Sequence, residues 1–212
     1  MNETLNSLFN AIIAGEGPEV QKCVQAALDE KQDPTIVLNE GMIAAMREVG
    51  KRFEAGDFFV PEMLLSARAM QAGMAVLKPC LQQSNVKAVG KVVIGTVKGD
   101  LHDIGKNLVA LMLEGGGFEI RDLGIDVAAE DFIAALQAEP ADILALSALL
   151  TTTLPSMKQT IEAVQAAGFR DKVKIIVGGA PVTEEYAKKI GADGYSPDAS
   201  RAVTLAESLM RS

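Results

Sequence analysis

In the stretch KVVIGTVKGDLHDIGKN, residues 91–107, the period of the chain changes. Its β-branched run VVIGTV (92–97) has the composition of a buried strand, and a helical pattern resumes at Lys106. The polar turn between them, which holds Gly99 and Gly105, is the connection of a βα unit. Four similar runs follow: FEIRDLG (118–124), DILALSAL (142–149), VKIIVGG (173–179) and a short DGYS (193–196). Helical segments lie between and after them, namely KNLVALMLEGGG, AEDFIAALQAE, PSMKQTIEAVQAAG, TEEYAKKIG and ASRAVTLAESLMRS. Strand and helix alternating in this way predict an α/β fold over residues 90–212, with a doubly wound five-stranded parallel sheet of Rossmann-like type. Ligands of such sheets sit beyond the carboxyl ends of the strands, near the switch in strand order. The loops after residues 97, 149, 179 and 196 are therefore where a site is expected.

Upstream, residues 1–85 read as a four-helix bundle. Leu5, Leu8, Phe9, Ile12 and Ile13 recur at helical spacing before Gly15 and Gly17. Pro18 opens a second helix, and Asp33-Pro34 starts a longer one holding Val37, Met42, Met46, Val49 and Phe53. AGDFF interrupts that helix, Pro61 begins the fourth, and QQSNVKAVG (82–90) reads as a linker.

Acidic residues outnumber basic ones 28 to 20, a balance that argues against a nucleic-acid partner, because phosphate binding needs a basic footprint. No apolar run is long enough for a membrane span, and the N-terminus lacks the pattern of a signal peptide, so a cytoplasmic setting is expected. Cys23 and Cys80 have no metal-binding spacing and read as buried thiols, with contact between them left open.

The chain has one histidine, His102, and it lies in the loop after the first strand between Asp100 and Asp103. Alone, Asp-x-His reads as a surface histidine paired with an acid. At the mouth of a parallel sheet it can also present one ring nitrogen to a ligand, while a carboxylate holds the other N–H; Asp100 is the natural acceptor. With no second histidine and no close cysteine pair, a conventional zinc or iron site is hard to build. A single protein donor suffices when the metal arrives already held by a macrocycle.

Asp100-x-His102-x-x-Gly105, Ser147-x-Leu149 after the third strand and Gly178-Gly179 after the fourth resemble, in order and position, the three-part signature of cobalamin-dependent methyltransferases. VKGDLHDIGKN (97–107) is similar to the matching loop of cobalamin-dependent methionine synthase, and VGKRFEAGDFFVPEMLLSARAM (49–70) to that family's helical cap. A pair of such modules resembles the small corrinoid proteins of methylamine, betaine, methanol and aryl methyl-ether demethylation systems.

The resemblance implies a cobalamin or related corrinoid bound base-off, with His102 as lower axial ligand to cobalt and Asp100 and Thr153 completing a relay. Thr153 stands where the family usually has serine, and Thr152 is the alternative. Gly99, Leu101, Asp103, Ile104 and Gly105 would complete the histidine loop. Ser147, Thr151, Gly178 and Gly179 would line the channel for the nucleotide tail, with Tyr195, Ser196 and Ala199 nearby, and Leu149 would also contact the cofactor. Phe53, Val60 and Met63 would cover the methyl face, although apolar residues at helical spacing also read simply as bundle core.

The implied function is a methyl carrier that alternates between methylcob(III)alamin and cob(I)alamin, with no turnover by itself. Its partners would be a substrate:corrinoid methyltransferase and a corrinoid:coenzyme M or corrinoid:tetrahydrofolate methyltransferase, with a reductive activase in addition. A cobalamin-dependent sensor is the alternative reading; such proteins add a DNA-binding domain or a tryptophan-bearing cap, and this sequence has no tryptophan. A phosphoacceptor receiver needs an acceptor Asp after the third strand, where Ser147-Ala148-Leu149 stands. GGAPVTEE also reads as a plain strand-to-helix turn with a Thr cap, and GGGF (115–118) as a helix stop rather than a phosphate loop.

Overall fold

The computed structural model describes residues 2–83 and 88–211. It divides into two compact units, the first taking in residues up to 87 together with Gly115–Gly117, the second the remainder. Among the described residues no helix is long and apolar enough to cross a membrane.

In the first unit, α1 (Glu3–Ile13) is capped by the Asn2 side chain and buries Leu5, Leu8 and Ile12. Pro18 lies in the first turn of α2 (Gly17–Asp29), where its missing N–H costs nothing. The third helix starts as expected, with Asp33 capping α3 (Pro34–Ile36) through Thr35 N. It then departs from the sequence reading. Residues Val37–Ile43 form a π-helical segment before α4 (Ala44–Ala55). Val37 and Met42 are both buried although they lie five apart, a spacing that a π turn stacks and an α turn does not. Gly56, at φ 81°, stops α4. The last helix, α5 (Val60–Gln83), opens one residue before Pro61 and absorbs the first two residues of the expected linker; residues 84–87 of that linker lie outside the described residues. Cys23 is buried, Cys80 is half-buried, and both thiols are free.

The second unit is a five-stranded parallel sheet in the order β2-β1-β3-β4-β5. Its strands are β1 (Lys91–Thr96), β2 (Glu119–Asp122), β3 (Ile143–Ser147), β4 (Lys174–Gly178) and β5 (Gly194–Tyr195). The intervening helices are α6 (Ile104–Gly115), α7 (Ala129–Ala138), α8 (Leu154–Ala166) and α9 (Glu184–Ile190), with α10 (Ala199–Leu209) last. Successive side chains of a strand point to opposite faces. Val93, Leu144, Leu146, Ile175 and Val177 accordingly pack with Phe132, Leu136, Met157 and Ile161 of α7 and α8. Val92, Ile94, Ile143, Ala145 and Ile176 pack with Leu113 of α6 and Ala206 of α10. Helices cover both faces, which is why the central strands bury apolar side chains on both.

The order of strands puts the switch between β1 and β3. Register then aligns the three motifs: Thr96 is paired with Ser147, and Ser147 with Gly178. Segments more than 30 residues apart in the chain thus reach one carboxyl edge side by side.

Candidate functional site

The site begins with a turn. Asp100 N donates to Val97 O at 3.1 Å, and Gly99 takes φ +84°, the third-position geometry of a type II turn. The Asp100 side chain that follows is completely buried. Its Oδ1 accepts from His102 N at 3.1 Å and lies 2.8 Å from His102 Nδ1. Its Oδ2 accepts from Leu149 N at 2.7 Å, Leu150 N at 3.2 Å and Thr153 Oγ1 at 2.7 Å. One carboxylate therefore ties the loop after β1 to the loop after β3.

Burial, the largest single influence, works to raise the Asp100 pKa. The hydrogen bonds from Thr153, His102 and Leu149 together outweigh it and hold the carboxyl far below the usual carboxylate range. An ionised carboxylate is an acceptor only, so His102 Nδ1 carries the proton and donates it. In the neutral ring Nε2 is then left with its lone pair. The His102 side chain is 49% exposed, and its backbone O accepts from the buried Thr96 hydroxyl at 2.9 Å. The ring is thereby held at both ends of the residue, with one basic nitrogen available.

Of the two threonines weighed from sequence, Thr153 reaches Asp100, while Thr152 is exposed. Leu101, Ile104 and Leu149 stand exposed beside His102 in sequence or across the strand ends, at 66%, 82% and 42%. Asp103 is exposed and bonded to Asn107 of α6. Ser147 is half-buried and Thr151 exposed. Gly178 and Gly179 are half-buried, and a Cβ on Gly179 would lie 1.9 Å from Ala148 O, so close packing of β3 against β4 already requires that glycine. Thr183 caps α9 through Tyr186 N. Tyr195 packs on the sheet core, the Ser196 hydroxyl donates to Asp198 O, and Ala199 is buried at the start of α10. In the helical unit Phe53 is half-buried, Val60 is 41% exposed and Met63 is fully buried.

Sequence reasoning missed four groups. Leu150 N, Thr96 and the Lys106–Asp122 pair all brace the loop, Lys106 being almost wholly buried. The fourth is Asp126 in the loop after β2, which bonds Gly99 N. Carboxyl-end logic applied to β2 as well would have found it.

Three observations bear on what this edge holds. Among the described residues no cluster of three or more His, Cys, Asp or Glu side chains could hold a metal ion, so one imidazole nitrogen would meet a metal bringing its own ligands. Gly105 sits in the first turn of α6 without positive φ, and a Cβ there would meet nothing within 4 Å. The backbone at Gly105 is therefore open to close approach by a bound group. Finally, Leu101, Ile104, Leu149 and Leu150 expose the apolar surface that a flat, largely apolar ring would cover. The residues fit a corrin macrocycle.

These features define a cobalamin-binding α/β module with a helical partner. Residues 90–204 match the family model of a B12 binding domain, and residues 4–78 match a second model of the same description. The chain is 44% identical over 209 residues to a dimethylamine corrinoid protein of Methanosarcina barkeri, covering 98% of both, and 39% identical to a corrinoid protein of Desulfitobacterium hafniense. Among solved structures it resembles a cobalamin-binding protein from Desulfitobacterium hafniense, with TM-score 0.82, 33% identity and coverage of 97% and 98% of the two chains. It also resembles a chain of the methanol:cobalamin methyltransferase complex MtaBC from Methanosarcina barkeri, with TM-score 0.87, 31% identity and coverage of 99% and 80%. The chain belongs to the B12-binding corrinoid proteins of methyltransferase systems, and its cofactor is a corrinoid.

Proposed function

We propose that the chain is a methyl carrier binding its corrinoid base-off, with His102 Nε2 as lower axial ligand. The bound cobalt supplies a centre able to accept a methyl group from one protein and yield it to another. Everything else is the chain's own work. Asp100 fixes the tautomer and direction of the imidazole, Thr153 and the Leu149 and Leu150 amides hold Asp100, and Gly105 lets the ring approach the backbone. The carrying observation is the Asp100 carboxylate, buried and bonded on one side to His102 Nδ1 and on the other to the loop after β3. Ser147, Thr151, Gly178, Gly179, Tyr195, Ser196 and Ala199 are proposed to follow the nucleotide tail. Phe53 and Val60, which keep exposed surface, are better suited to shielding than the fully buried Met63.

The proposed partners are a substrate:corrinoid methyltransferase and a second methyltransferase acting on coenzyme M or tetrahydrofolate, with a reductive activase serving oxidised cofactor. Full-length similarity to dimethylamine corrinoid proteins makes a methylated amine the first donor to try, ahead of methanol.

The test is to load wild type and His102→Gly with methylcobalamin and record absorption spectra, then supply a dimethylamine methyltransferase and assay methyl transfer. Wild type should give a histidine-ligated, base-off spectrum. His102→Gly should bind more weakly and show no histidine ligation. A wild-type chain that stays colourless after cofactor exchange refutes the proposal.

A further inference from the structure

Asp126 lies in the loop between β2 and α7 with φ 54°, a left-handed conformation rare for residues bearing a Cβ and tolerated best by Asn and Asp after glycine. Its bonds give that conformation a use. Asp126 Oδ1 accepts from Gly99 N at 2.8 Å, and Asp126 N donates to Asp100 O at 2.9 Å. One residue thus grips the N–H of Gly99 and the C=O of Asp100, the groups that flank the Gly99–Asp100 peptide. Its Oδ2 meets Lys98 Nζ at 3.1 Å, but both side chains are well exposed and such pairs contribute little.

The same loop runs as a rail beside β1. Leu123 N donates to Ile94 O, Thr96 N to Gly124 O, and Val97 pairs with Val127. At the end of β2, Asp122 holds the buried Lys106 of α6. The histidine loop is therefore braced from β3 through its carboxylate and from β2 through its backbone.

We propose that Asp126 is a positioning residue for the histidine site, clamping the Gly99 and Asp100 peptides so that the Asp100 carboxylate is aimed at both His102 Nδ1 and the loop after β3. The role rests on the proposed ligation by His102 and extends it to a third loop. The acceptor oxygen does the work, and the negative charge is incidental. Asparagine in a left-handed site can replace aspartate. Glycine keeps the backbone without the acceptor.

The experiment compares Asp126→Asn and Asp126→Gly in the cofactor-free full chain, labelled with 15N, at one fixed pH. It reads hydrogen exchange of the Gly99 amide and of the Nδ1–H of the one histidine, together with the melting temperature. The same proteins are then loaded with cobalamin and their histidine-ligated fraction is read from absorption spectra. In Asp126→Gly the Gly99 amide should exchange about tenfold faster, as loss of one hydrogen bond implies. The Nδ1–H should lose protection and the histidine-ligated fraction should fall. Asp126→Asn should restore all three. Wild-type protection in Asp126→Gly would overturn the proposal, and so would an Asp126→Asn protein as impaired as Asp126→Gly. If loaded wild type shows no histidine ligation, the ligation reading fails, while exchange in the cofactor-free proteins still decides what Asp126 does.

Discussion

The loops after β1 and β4 each carry a strand through a glycine-bearing turn into a helix, yet they spend their polar groups differently. After β4, Thr183 bonds its own helix, three residues on, and Gly179 is required by the close approach of Ala148. After β1, Asp100 reaches across 49 to 53 residues to Leu149, Leu150 and Thr153. The Thr183 side chain serves its own helix. The loop after β1 is joined to the loops after β2 and β3 and aims one imidazole outward, so long-range bonds to a buried charge set it apart better than its glycines do.

The contrast breaks most sharply at Asp100. Asp100→Ala leaves the Leu149 and Leu150 amides without their acceptor, turns the Thr153 hydroxyl back on Leu150 O, and should cost about 3–5 kcal/mol in urea unfolding, with loss of the proposed histidine ligation. The same carboxylate predicts an acid dependence. Because its folded pKa lies below the ordinary value near ~3.9, its contribution is complete above that pH and is lost as pH falls below it. Wild type should therefore lose its stability advantage over Asp100→Asn as pH drops from about 5 toward 2.

Next comes Gly179→Ala, which forces a Cβ against Ala148 O in a backbone of φ +129° and should cost about 2–4 kcal/mol. Its mark should be a lower melting temperature together with weaker protection of the His102 Nδ1–H in the cofactor-free chain, because Ala148 O belongs to the peptide whose Leu149 N donates to Asp100. Thr153→Val keeps the shape and removes the hydroxyl from Asp100; about 1–2 kcal/mol is expected, with weaker protection of that Nδ1–H. Thr183→Ala removes a local cap and should cost about 1 kcal/mol with no change at His102. A Thr183 variant that disturbed His102 would erase the distinction between the two loops.

Much of this was legible in the sequence because it is local. Asp100 and His102 lie two residues apart, and an Asp at the start of such a turn bonds the second amide along. The strands announced themselves through β-branched runs covered on both faces. What escaped depends on distance or on an unusual period. Choosing Thr153 over Thr152 came from resemblance, since which hydroxyl turns inward is set by the turn that Thr153 N makes with Leu150 O. The loop after β2 is not legible as a clamp because that edge strand is short and largely exposed and DLGIDV gives no composition signal for one. The π segment at Val37–Ile43 is not legible because its buried residues, Val37, Gly41, Met42 and Ile43, include the four-residue spacing of an ordinary helix.

The imidazole of His102, steered by Asp100, is the proposed protein ligand to cobalt. Because His102 is the one histidine of the chain, labelling histidine with 15N labels that ligand alone. The deciding measurement is the electron paramagnetic resonance spectrum of the protein loaded with cob(II)alamin, with and without the label. The account predicts that the nitrogen splitting changes from a triplet to a doublet on labelling. An unchanged triplet would show that the cofactor's own base remains on cobalt, and absence of splitting would show that no nitrogen binds there; either would contradict the account.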